Sequence, residues 1–119
     1  MTQFGIGQSV SRFEDPRLLR GQGQFIDDHN LAGQTHAVLV RSPHAHARIR
    51  GIDTAAARAL PGVVAVYTGE DVAQWVTRHR MAPPIDGLKP MEMDALPRDR
   101  VRFQGDPVAC VVAVDRYVA

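Results

Sequence analysis

The longest uninterrupted apolar run in this chain, residues 108–114, spans only seven positions. It is rich in valine and lies between the turn residues Gln104-Gly105-Asp106-Pro107 and the polar Asp115, so it reads as a buried strand. A membrane helix needs about 20 apolar residues, and no stretch here approaches that. The same brevity rules every other regular segment. Residues 36–41 form an apolar run between Gly33 and Ser42-Pro43 and read as a second buried strand. Residues 47–52 alternate as a half-exposed strand would, residues 63–67 form another strand, and strand character resumes at 101–103.

Short helices separate these runs. Asp53 is a suitable N-cap for the alanine-rich residues 54–60, which Pro61-Gly62 stops. Thr68 can cap a helix with Glu70 and Asp71 in its first turn, continuing through Val72, Trp75 and Val76. Residues 14–20 suit one helical turn with Pro16 near its start. Asp115 caps a helix that has run for one turn at residue 119, so the domain is expected to be incomplete at its C-terminal helix. Residues 77–97, with Pro83-Pro84, Gly87, Pro90 and Pro97, read as a long loop of the kind usually tied to function or a partner. The expectation is an α+β domain over residues 31–119, preceded by an extended, turn-rich segment over residues 1–30.

Composition narrows the function. With 119 residues the chain allows one small domain, and 45% hydrophobic against 23% charged residues suits a folded protein. The net charge of +1 argues against nucleic-acid binding through bulk charge. The N-terminus shows no secretory pattern, and the single cysteine, Cys110, fits a reducing compartment, so a cytoplasmic location without a membrane span is expected. All basic residues except Lys89 are arginine, the side chain best suited to interfacial ion pairs. Arg12, Arg17, Arg41, Arg48 and the 77–97 loop are therefore the candidate contact elements.

No catalytic constellation stands out. His44 and His46 would share a face of an extended segment, as a metal pair requires, but no third ligand is nominated by spacing, and backbone or partner hydrogen bonds explain them as well. Cys110 sits among apolar neighbours with no adjacent base, which makes a thiol inert. Gly5-Ile6-Gly7 and Gly21-Gln22-Gly23 follow no strand and complete no dinucleotide fingerprint, so they read as turns. The acidic pairs Glu14-Asp15 and Asp27-Asp28 suit capping or solvation. Catalytic, cofactor-binding and metal residues are all expected to be none in this chain.

Four blocks nevertheless carry a resemblance. Residues 7–28, GQSVSRFEDPRLLRGQGQFIDD, resemble the opening of the molybdenum hydroxylase large subunits, the family of xanthine dehydrogenase, aldehyde oxidase and aerobic carbon monoxide dehydrogenase. Residues 40–49, VRSPHAHARI, are similar to a motif of the same family, as are Ile52-Asp53-Thr54, ALPGVVAV at 59–66 and Thr68-Gly69-Glu70-Asp71. DRVRFQGDPVA at 99–109 is similar too, with Asp106 where glutamate is commoner. The resemblance implies an α/β hammerhead domain at the N-terminus of a molybdopterin-binding subunit. It also implies molybdopterin cytosine dinucleotide in the full subunit, iron–sulfur clusters and FAD in partner subunits, and oxidation or hydroxylation of a small substrate with oxygen from water. The partners would be the remaining domains of the large subunit, the iron–sulfur subunit and the flavin subunit. The other reading is a free-standing binding or assembly module built on the same fold.

Overall fold

The computed structural model describes Gly7, residues 9–82 and residues 85–119. The chain divides into two compact units, Met1–Ala32 and Gly33–Ala119.

The first unit contains helix α1 (Asp15–Leu19) and a single 3-10 turn (Ile26–Asp28). Its acidic residues act as caps. Asp15 accepts from the Arg12 backbone N–H at 3.0 Å and from the Arg12 Nε at 2.9 Å, and Asp28 accepts from the Phe25 N–H at 2.9 Å. At the other end of α1, the Gly21 N–H donates to Leu18 O and the Gln22 N–H to Arg17 O, both at 3.0 Å. That paired closure places residue 21 in the left-handed region (φ +68°), where glycine avoids the Cβ penalty. Gly21-Gln22-Gly23 is thus a helix terminus, and Gly5-Ile6 lies outside the described residues.

The second unit is built on a three-stranded antiparallel sheet ordered β1 (His36–Arg41), β7 (Pro107–Ala113), β3 (Val63–Thr68). The apolar run identified above is its central strand. Val38 and Val66 face Val111 from either side, and Leu39 and Tyr67 face Cys110. Ala109, Val111 and Ala113 are buried while the intervening residues are half-buried, the alternation expected of a pleated strand. Together with Val66, Leu96 and Val101 they make the core.

Four expectations need correction. Among the described residues β1 is an edge strand bonded to β7 alone, and Val38, Leu39 and Val40 are all exposed rather than buried. Hydrophobicity gave its type, but only strand order gives its position. Residues 47–52 contribute a strand only at β2 (Ala47–Arg48), which pairs with β6 (Arg100–Val101), itself shorter than the expected 101–103. The helices are shorter than their apolar patterns, namely α2 (Ala55–Arg58) and α3 (Gly69–Val72), each passing directly into a turn. Finally, residues 77–97 hold an antiparallel pair, β4 (His79–Met81) with β5 (Met91–Met93), in the register His79 to Met93 and Met81 to Met91. The described prolines, Pro90 and Pro97, lie outside both strands and leave the ladder's N–H groups intact, which a proline count cannot reveal.

The caps fall where the polar residues suggest. Asp53 Oδ1 accepts from the Ala55 N–H at 2.9 Å. Asp115 Oδ1 accepts from Tyr117 and Val118 at 2.8 and 2.9 Å, and the Ala119 N–H closes one helical turn onto Asp115 O.

Candidate functional site

Two blocks far apart in sequence, Ser42-Pro43-His44 and Phe103 to Asp106, meet at the end of β1. The Ser42 N–H donates to Asp106 O at 2.9 Å and the Gly105 N–H donates to Ser42 O at 2.8 Å. Asp106 is 7% exposed, and its Oδ2 accepts from the Arg102 N–H at 2.9 Å. Ser42 is equally buried, and its hydroxyl accepts from the His44 N–H and donates to His44 O. The two backbone bonds join the blocks, and the side-chain bonds of Ser42 and Asp106 brace each block locally, so these two buried residues are spent on architecture. His44 and His46 lie exposed in a bend before β2 rather than in an extended strand, and no set of three or more His, Cys, Asp or Glu among the described residues is placed to hold a metal. Cys110 is half-buried at the centre of the sheet.

A second polar cluster ties α2 and α3 to β3. The Arg58 guanidinium donates to Val66 O at 2.6 Å and to Thr54 Oγ1 at 3.0 Å, and it lies 3.6 Å from Asp71. Asp71 Oδ2 accepts from the backbone N–H and the hydroxyl of Thr68 at 2.7 and 2.8 Å. Those two bonds, the backbone one foremost, hold the Asp71 carboxyl below the usual aspartate range; burial opposes them, and Arg58 adds a lesser lowering effect. The folded pKa is depressed, so the cap's contribution is complete above the unfolded aspartate pKa, about 3.9, and is lost as pH falls through the lower folded value. Asp71→Asn is therefore expected to flatten the acid limb of a melting-temperature profile below about pH 4 while leaving the curve's shape at neutral pH intact. A variant profile as steep as the parent's would reject this.

The candidate contact elements divide. Arg12 and Arg17 pair within the first unit, with Asp15 and with Glu14, and Arg41 donates to Gly105 O at 2.9 Å. In the 77–97 segment, Arg78 donates to Asp94 at 2.8 Å and lies 3.7 Å from Glu92; the Asp94 hydrogen bond, first among several causes, raises the guanidinium's pKa further. Arg48 has no such partner among the described residues.

Two clefts flank these residues. One, of about 360 Å³, is lined by Arg50, Ile52, Thr68, Gly69, Glu70 and Arg98. The other, of about 310 Å³, brings Met91, Met93 and Phe103 together with Arg102 and Asp106. Sequence reasoning passed over both, because the residues of each come from three separate segments. Neither assembles a nucleophile with a base, and the surface chemistry available is docking: exposed apolar groups beside arginine.

The architecture has known counterparts. Residues 20–119 match the family model described as aldehyde oxidase and xanthine dehydrogenase, a/b hammerhead domain. This chain belongs to that hammerhead family. The hammerhead domain is similar to the nicotine 6-hydroxylase large subunit of Paenarthrobacter nicotinovorans, 45% identical over 119 residues that cover 100% of this chain and 15% of that one. It superimposes on quinoline 2-oxidoreductase from Pseudomonas putida 86 with a TM-score of 0.88 at 45% identity, over 96% of this chain and 14% of that one. A Cu,Mo-CO dehydrogenase aligns with a TM-score of 0.76 at 44% identity, over 97% and 14%. The chain thus spans about one-seventh of the relatives it matches. Among the described residues, no helix of the hammerhead domain is long and apolar enough to cross a membrane.

Proposed function

We propose that this chain is the N-terminal structural and interface part of the large subunit of a molybdenum-dependent hydroxylase. In this reading residues 31–119 form the hammerhead domain and residues 1–30 lead into it. The observation that carries the reading is the 45% identity to a hydroxylase large subunit along all 119 residues. The exposed apolar edge of β1 and the methionine- and phenylalanine-lined cleft support it, because such surfaces are ordinarily covered in a mature assembly.

In our reading the molybdopterin dinucleotide is held outside residues 1–119. The Gly21-Gln22-Gly23 turn closes a helix rather than opening one after a strand, and the acids around it are engaged as caps. The groups that hold the cofactor, in our reading molybdopterin cytosine dinucleotide, and those that act on substrate belong to the rest of the subunit. The iron–sulfur clusters and FAD belong to partner subunits, and the assembly works in the cytoplasm. The subunit as a whole would oxidise or hydroxylate a small substrate with oxygen from water.

The test is to purify the protein carrying this sequence from its native source and measure its mass and metal content. A polypeptide several times longer than 119 residues, containing molybdenum and accompanied by smaller subunits, is the expected result. A metal-free species of the mass of this chain alone would overturn the reading.

A further inference from the structure

The β2–β6 ribbon carries a feature that none of the foregoing uses. Arg48 on β2 stands directly opposite Arg100 on β6. The Ile49 N–H donates to Asp99 O at 2.9 Å, which makes 49 and 99 a hydrogen-bonded pair and leaves 48 and 100 the kind in which side chains stand closest. The paired ladder ends there, and Arg50 and Arg98 lie two residues beyond it along the two segments. The clefts agree with this placement. Arg48 and Arg100 line one concavity, and Arg50 and Arg98 line the neighbouring one. On the other face Val101 is buried and Ala47 and Ile49 are half-buried, while Asp99 is exposed and, with Ile49, lines the same concavity as Arg48 and Arg100.

Like charges directly across a ladder are destabilising, and here one such pair, Arg48 with Arg100, stands beside Arg50 and Arg98 in the neighbouring cleft. Compensation inside the domain is thin. Asp94 lies 3.5 Å from Arg98, while Arg48, Arg50 and Arg100 have no ion-pair partner among the described residues. Asp99 and Glu70 line the two concavities without bonding to these arginines. We propose that this arginine ladder is the docking surface for a carboxylate-bearing surface of the same large subunit, in the part of the polypeptide outside residues 1–119.

Four arguments select that occupant. Guanidinium forks match carboxylates two bonds at a time, so a row of four suits a row of acids. The chain's net charge is only +1, so it lacks the wide positive field that nucleic-acid binding draws on. Exposed ion pairs are individually weak in water, so four of them hold a tethered segment far better than a separate chain. The relatives matched are about seven times longer than this chain, which leaves ample polypeptide to supply the acids.

The proposal rests on the large-subunit reading, and the test separates the two. In the full-length protein, Arg48→Lys and Arg100→Lys variants are treated with a carbodiimide, which joins an amine only to a carboxylate it touches, and cross-linked peptides are identified by mass spectrometry. A peptide bearing R48K or R100K joined to an Asp or Glu outside residues 1–119 of the same chain is expected. Phenylglyoxal should also modify Arg48, Arg50 and Arg100 at least about tenfold more slowly in the assembled protein than in the same protein unfolded. A cross-link only to Asp99, one to a different subunit, or modification at the unfolded rate would each overturn the proposal. Charge neutralisation gives an independent sign. Arg100→Gln should lower the melting temperature of the intact protein if acids face the ladder, and raise it if the ladder is merely solvated, because then only repulsion is removed. A molybdenum-containing protein without the cross-link overturns the docking site alone. The cross-link in a long chain free of molybdenum overturns the hydroxylase reading alone.

Discussion

Replacing Gly69 with alanine is expected to destabilise the domain by about 3 kcal/mol, and with valine to prevent it from folding. The reason is space. A Cβ at position 69 would lie 2.6 Å from Pro97 O and 2.7 Å from Leu96 O. Both are backbone atoms of buried residues, so neither can swing aside as a flexible side chain would. Gly69 also begins α3 directly after β3, and its neighbour Thr68 is held by Asp71, so the helix cannot slide away without losing its cap. For a domain of this size the alanine variant should melt at least about 12 °C lower. Gly51→Ala is the matched control, since a Cβ there meets nothing within 4 Å, and it should stay within about 0.5 kcal/mol of the parent. Equal melting temperatures for the two variants would reject the close approach.

Ala113→Asp should be at least as damaging, at a cost of about 3–5 kcal/mol near neutral pH. Ala113 is 0% exposed and lies in the last core position of β7, opposite His36 on β1 and Val63 on β3. An aspartate there would have to bury its charge or take up a proton. Burial raises its folded pKa above the unfolded value, so the penalty should be largest at high pH and shrink as pH falls through the raised value. That pH trend is opposite in sign to the one expected for Asp71, and urea unfolding at about pH 5 and pH 8 reads it directly. Val114→Asp, one residue along on the exposed side, should cost little at either pH. Equal midpoints for the two aspartate variants would show that β7 does not bury residue 113.

How much of this was legible beforehand depended on the range of the interaction concerned. The caps at Asp53, Thr68 and Asp115 and the turn at Gly21 involve residues two to five positions apart, and the residue types alone point to them. The exposure of β1 was not legible, because Val38, Leu39 and Val40 are as hydrophobic as residues of a central strand. The β4–β5 pair was masked by its prolines. The knot between Ser42 and Asp106 and the arginine ladder join residues about fifty to sixty positions apart, and no local periodicity can report such a meeting.

By itself, then, the sequence determined most of the short elements of the central sheet and its flanking helices, their caps and, through four motif blocks in order, the hammerhead family, but not the β4–β5 pair. Those properties follow from side-chain size, hydrogen bonding to nearby backbone and the alternation of a pleated strand, all of them local. Only the tertiary structure decided that residues 107–113 lie between two partners while β1 has one, that Gly69 faces the carbonyls of Leu96 and Pro97, and that Arg48 faces Arg100. Strand order and register are settled by which arrangement buries the most apolar surface with every backbone group bonded, a balance taken over the whole chain at once.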